Sequence, residues 1–204
     1  LCTSGRAARM TSRVLVAAGT GLGVAQLFEH GGRFVALASE GGHVCFAPRN
    51  ADEYALLEFL QRRYGRVSLE RVVSGRGIAN SYEFLLERGE PKADPELARA
   101  VLADPDEAPR LVTESAERGR CPAARRAGEL FVEAYGAAAG NFALTALATD
   151  GVFLGGGIAP KLLTALRSGG FLHAFLDKGR FRPLLETIGS ALGWDIGIFW
   201  SPDG

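Results

Sequence analysis

Apolar residues along this chain gather in short runs of two different periods, and the change of period marks out the elements. Arg13-Val14-Leu15-Val16-Ala17-Ala18 is almost continuously apolar and predicts a buried strand. It runs into Gly19-Thr20-Gly21-Leu22-Gly23, after which strand-like composition resumes over residues 24–28. Gly31-Gly32 supplies a turn before Phe34-Val35-Ala36-Leu37, so the chain up to about residue 40 is expected to be an antiparallel meander. Beyond Asn50 the period becomes helical. Asn50 followed by Glu53 has the form of a capping box, and Leu56, Leu57, Leu60 and Tyr64 recur at helical spacing. They predict a helix over residues 51–64 with Arg62 and Arg63 on its wet face.

A second helix is expected over residues 78–88. Residues 90–110, rich in proline and acidic side chains, suggest an exposed connection with one helical turn at 95–102. Alanine then dominates residues 123–148, with Leu130, Phe131, Phe142 and Leu144 among them. That predicts a long central helix whose small residues permit close packing. Val152-Phe153-Leu154 is a short buried strand ending in Gly155-Gly156-Gly157, and Pro160 suits the first turn of a helix over residues 161–167. Residues 196–199 are a last strand candidate. No internal repeat or low-complexity segment interrupts this pattern.

Composition narrows the classes. With 204 residues, 47% of them hydrophobic, the chain can bury a sizeable core as one domain or a domain plus a small appendage. Lysine plus arginine and aspartate plus glutamate stand at 23 each, so no net field points to nucleic acid or an anionic membrane surface. The apolar runs are far shorter than the roughly 20 residues of a membrane-spanning helix. The opening residues, Leu1 to Arg9, lack the hydrophobic core of a signal peptide. Cys2, Cys45 and Cys121 form neither a paired framework nor a C-x-x-C metal motif, so a reducing, cytoplasmic setting is expected.

Three short segments carry candidate chemistry. The loop Gly19-Thr20-Gly21-Leu22-Gly23 follows a strand. Its amides and the Thr20 hydroxyl could present donors to phosphate oxygens, or the loop is a plain tight turn. It is neither G-x-x-x-x-G-K-[ST] nor G-x-G-x-x-G. In Ser39-Glu40-Gly41-Gly42-His43-Val44-Cys45-Phe46-Ala47-Pro48, two glycines hold a carboxylate and an imidazole in one loop. A carboxylate accepts sugar hydroxyls through charge-assisted hydrogen bonds; the competing reading makes Glu40 a turn cap and His43 a structural or surface residue. Glu70 sits among apolar residues, where it either pairs locally with Arg71, faces solvent, or serves a site.

In their order and separation these segments strongly resemble the bacterial glucokinase family. The matching runs are Ala18 to Ala25, Glu40 to Pro48, and Ser68-Leu69-Glu70-Arg71-Val72-Val73-Ser74-Gly75. Further along, Gly140-Asn141-Phe142-Ala143-Leu144, Gly151 to Pro160, and Phe175-Leu176-Asp177-Lys178-Gly179-Arg180-Phe181 look like that family too. The resemblance runs from about Arg13 to the end, leaving residues 1–12 as an unplaced edge and residues 13–204 as a large domain.

The resemblance implies an α/β, RNase H-like (actin-like ATPase) fold, a mixed sheet flanked by helices. It implies transfer of a phosphoryl group from ATP, with Mg2+, to glucose. Glu40, His43 and Glu70 would bind glucose. Gly19, Thr20, Gly21 and Gly23 would meet the ATP phosphates, and Gly155, Gly156 and Gly157 would lie near the adenosine. A homodimer is common in such a family.

Related sugar kinases with a structural zinc carry a cysteine cluster that this chain lacks, so no metal site is expected. Three departures are visible. The family's D-x-G-G-T-like loop and its Asn-Asp pair, whose aspartate is the general base, occur nowhere in the sequence, so the base is expected in a segment preceding residue 13 and none is assigned here. Cys45 stands where the family usually has aspartate. The chain also stops before the family's C-terminal helix, which implies truncation at both ends. A non-catalytic sugar-binding or regulatory protein on the same fold, or a kinase for another hexose, is the alternative reading.

Overall fold

The computed structural model describes residues 11–89, 92–190 and 198–199. Strand β1 (Ser12–Ala18) is the axis of the sheet. It pairs antiparallel with β2 (Leu22–His30), which pairs antiparallel with β3 (Arg33–Ser39), giving the expected meander. On its other side β1 pairs in parallel with β4 (Val152–Gly155), and β4 in parallel with β5 (Ile198–Phe199). The order is therefore β3-β2-β1-β4-β5, a mixed sheet. The first two residues of the strand expected at 196–199 lie outside the described residues.

Alternation along β1 explains its place. Val14, Val16 and Ala18 are fully buried, whereas Arg13, Leu15 and Ala17 on the opposite face are half-buried. The buried face packs against α5 (Pro122–Ala146), and the Tyr135 hydroxyl donates to the Val16 carbonyl at 2.7 Å. Alanine and glycine in α5 serve close approach, as expected. A β-carbon on Gly136 would overlap the carbonyl of Phe171, so the small residue lets the backbone of α7 (Gly170–Leu176) sit directly on α5.

Helix α1 (Ala51–Tyr64) starts where the capping signal places it: Asn50 Oδ1 accepts the Glu53 amide at 3.0 Å. Leu56 and Leu60 are buried, and Arg62 and Arg63 form exposed ion pairs with Glu87 and Glu83 of the next helix. That helix, α2 (Gly75–Arg88), begins three residues earlier than apolar spacing predicts. Its signal is a cap, since Ser74 Oγ accepts the Gly77 amide at 3.0 Å.

The exposed connection expected at 90–110 is corrected. It holds α3 (Pro95–Ala103), and α4 (Ala108–Glu117) follows it, with Val101, Ala108 and Val112 buried in the core. Residues 159–167 form a 3-10 turn (Ala159–Leu162) and the short helix α6 (Leu163–Arg167) rather than one helix. Helix α8 (Arg182–Ser190) follows α7. No helix among the described residues is long and apolar enough to cross a membrane.

Candidate functional site

Both parallel strands end at the same edge of the sheet. Gly155, the last residue of β4, pairs with Ala17 of β1, so Gly19–Gly21 and Gly156–Gly157 leave neighbouring strand ends side by side. Ligands of open α/β sheets bind outside such carboxyl ends, because the loops there can diverge without breaking the ladder. The two loops also touch. The Ile158 amide donates to the Ala18 carbonyl at 3.3 Å, and Gly156 takes φ +85°, a backbone conformation that favours glycine. Thr20 is exposed at the tip of its loop.

The segments bearing Glu40, His43 and Glu70 are fastened to each other and to this loop. Gly41–His43 and Leu69–Arg71 are both 3-10 turns. They are joined through Leu69 N donating to Val44 O at 2.7 Å and Phe46 N donating to Val67 O at 3.1 Å. Leu22, the first residue of β2, is where they meet the glycine loop. Gly42 packs so tightly on it that a β-carbon would overlap the Leu22 carbonyl. From the other segment, Glu70 Oε2 accepts the Leu22 amide at 2.9 Å. A residue on one side of Leu22 thus covers its carbonyl, and a residue on the other satisfies its amide.

Glu40 and His43 are exposed, with Glu40 Oε2 and His43 Nε2 3.9 Å apart, and Glu70 is half-buried. Local pairing of Glu70 with Arg71 does not occur: Arg71 lies over the Tyr64 ring, 4.1 Å from its centroid, and the Glu70 carboxylate turns to Leu22. That choice has a physical cause. A half-buried carboxylate needs a donor, and the loop amide is one that no strand partner takes.

Two residues not singled out from the sequence fix this arrangement. Ser74 Oγ donates to the Glu70 carbonyl at 2.7 Å while also capping α2, and the Gly75 amide donates to the Gly19 carbonyl at 2.8 Å. A serine just ahead of Gly-x-Gly-Ile is a readable helix-start signal; its bond to residue 70 is not readable. A separate cavity of 190 Å³, lined in part by Cys45, Phe46, Arg49, Leu69, Asn141 and Phe142, includes none of Glu40, His43 and Glu70. In the Phe175–Phe181 motif, burial and the neighbouring Arg49 hold the Lys178 ammonium below its ordinary pKa.

Comparison with known proteins assigns the family. Residues 2–192 match the family model described as glucokinase. The chain belongs to the glucokinase family. It is 43% identical over 185 residues to a glucokinase of Nostoc punctiforme, a match covering 85% of this chain and 54% of that protein. Among solved structures, a glucokinase from an Antarctic psychrotroph is similar with a TM-score of 0.73 at 29% identity, covering 91% of this chain and 54% of that one. The glucokinase of Balamuthia mandrillaris, solved in complex with glucose, gives 0.71 at 25% identity, covering 87% of this chain and 48% of that one. The fold is accordingly the actin-like ATPase fold of sugar kinases. The chain spans about half the length of the curated glucokinases it matches.

Proposed function

We propose that the protein carrying this chain phosphorylates glucose at its 6-hydroxyl with ATP, and that this chain supplies sugar ligands and one wall of the nucleotide cleft. One observation carries the reading: Leu22 is shared. The carboxylate proposed to hold the sugar bonds the amide of the residue that closes the loop proposed to face the phosphates. A phosphoryl transfer needs donor and acceptor held in line, and positioning supplies most of its catalysis.

In this reading Glu40, His43 and Glu70 hold glucose hydroxyls. The two carboxylates accept, and the imidazole accepts or donates according to its tautomer. Thr20 brings its hydroxyl to the phosphates and Gly19, Gly21 and Gly23 bring backbone free of side chains, the Gly19 amide itself donating to the Gly21 carbonyl at 2.9 Å, and Gly155, Gly156 and Gly157 border the adenosine. Magnesium enters with the nucleotide in this reading, where it offsets phosphate charge. No aspartate of this sequence stands in an Asn-Asp pair, so none is assigned as general base. A cytoplasmic setting and a homodimer accompany the reading by resemblance to the family.

The test is a coupled assay for glucose 6-phosphate on the full-length protein with ATP and magnesium, with mannose and N-acetylglucosamine as competing acceptors. Glucose is expected to be the preferred acceptor. Glu70→Gln should weaken glucose binding by about 1.5–3 kcal/mol, the usual value of a hydrogen bond to a charged group. Glucose binding without turnover would favour a sugar-binding protein that lacks catalysis, and preference for another hexose would reassign the substrate.

A further inference from the structure

Gly21 lies in the middle of the loop proposed to face phosphate, yet its missing side chain is filled from the sugar side. A β-carbon built on Gly21 would stand 2.6 Å from Glu70 Oε2 and 3.4 Å from its Cδ, and it would meet no other atom within 4 Å. The oxygen it would strike is the one that accepts the Leu22 amide at 2.9 Å. Backbone strain does not require glycine here, because Gly21 is not among the residues with positive φ.

We infer that Gly21 is a positioning residue for the sugar: its bare α-carbon is the seat of the Glu70 carboxylate, and through that seat it sets glucose affinity. The inference rests on the proposed role of Glu70 as a sugar ligand. Seated against Gly21 and held by the Leu22 amide, Glu70 has one oxygen committed to the loop. Its second oxygen, Oε1, makes no hydrogen bond among the described residues and is left to accept from a ligand hydroxyl. A side chain at residue 21 would push the carboxylate off the amide, because the end of a flexible side chain yields before backbone does. Both oxygens would then move. The loop is thereby tied to the sugar site by one bond, from the Leu22 amide, and one close contact, at Gly21, so the loop proposed to face phosphate shifts with the carboxylate proposed to hold the sugar.

The experiment is a double-mutant cycle of Gly21→Ala and Glu70→Ala in the full-length protein. Glucose affinity is read by calorimetry, and thermal unfolding is followed on the same four proteins. Gly21→Ala alone should lower glucose affinity tenfold or more. Added to Glu70→Ala, it should cost no further affinity beyond a factor of two, because the carboxylate it displaces is gone. The melting temperature should follow the same rule, falling with Gly21→Ala in the wild-type background and not in the Glu70→Ala background. That second readout keeps the cycle informative where Glu70→Ala binds glucose too weakly to measure. Glucose affinity of Gly21→Ala within twofold of wild type, or equal losses in both backgrounds, would overturn the inference while leaving the glucose reading standing. A wild-type protein that binds no glucose would overturn the proposed function, and the sugar role of Gly21 with it.

Discussion

Gly156 lies so close to the carbonyl oxygen of Ala18 that a β-carbon on it would overlap that oxygen. Here the end of β4 is locked onto the end of β1, and the φ of +85° at Gly156 makes the lock possible. Gly156→Ala should therefore cost stability on two counts, left-handed backbone strain and a collision with backbone that has no rotamer in which to escape. Such strain is worth about 1–3 kcal/mol, and about 2 kcal/mol or more is expected in total. Thermal unfolding would show a fall of roughly 4–8 °C. An unchanged melting temperature would mean the two loops are not held in this contact.

A buried carboxylate provides a second prediction. Glu53 is only 1% exposed and accepts both the backbone amide of Arg49, at 2.7 Å, and its guanidinium. Replacing Arg49 by methionine keeps much of the volume and removes the charge, leaving Glu53 buried with its ionic partner gone. Breaking a buried pair from one side costs about 3–5 kcal/mol. Arg49→Met should thus be markedly less stable in urea unfolding, and the double variant Arg49→Met/Glu53→Gln should recover part of the loss. Equal stabilities of the single and double variants would contradict this account.

Asp52 makes stability depend on pH. Its carboxylate accepts from Arg126 and Arg88, each at 2.9 Å, joining α1 to α5 and α2. The Arg126 bond, followed by the Arg88 bond, holds its carboxyl below the ordinary value of 3.8. A depressed folded-state pKa gives stability that is present above the unfolded value and is lost as pH falls through the folded one. Unfolding free energy should therefore decline below about pH 4, the ordinary aspartate range, and less steeply in Asp52→Asn. With the side chain 41% exposed, the contribution is small and screened, so added salt should flatten the difference. Identical pH slopes for the two proteins at low salt would show that Asp52 carries none of the effect.

Much of the fold was legible in the sequence wherever one local signal decided an element. The meander needed only two glycine turns between apolar runs, and α1 needed only Asn50 and the spacing of its leucines. Helix α4 was not legible: its first residues fall in the proline- and acid-rich stretch that suggests a connection up to residue 110, and no element is expected over its remainder. Its Pro109 lies in the first turn, where proline starts a helix rather than breaking one, and Ala108 and Val112 are buried in a helix that packs against α5 and α2. In the site, residue types were legible and partners were not. Glu70 was visible as a carboxylate in an apolar setting, but its donor lies 48 positions away at Leu22, and no local pattern names such a partner. Gly21 shows the same limit: as a letter in a glycine loop it suggests phosphate, and only packing shows what fills its space.

The central claim is that Glu40, His43 and Glu70 form a glucose site beside the Gly19–Gly23 loop. The most direct test is a crystal structure of the full-length protein with glucose bound. The sugar should lie against Leu22 and the 3-10 turns of Gly41–His43 and Leu69–Arg71, with Glu70 Oε1, a Glu40 oxygen and a His43 ring nitrogen each within hydrogen-bond distance of a hydroxyl. Glucose found instead in the cavity beside Cys45 and Asn141, or Glu70 turned away from a sugar bound elsewhere, would contradict the account.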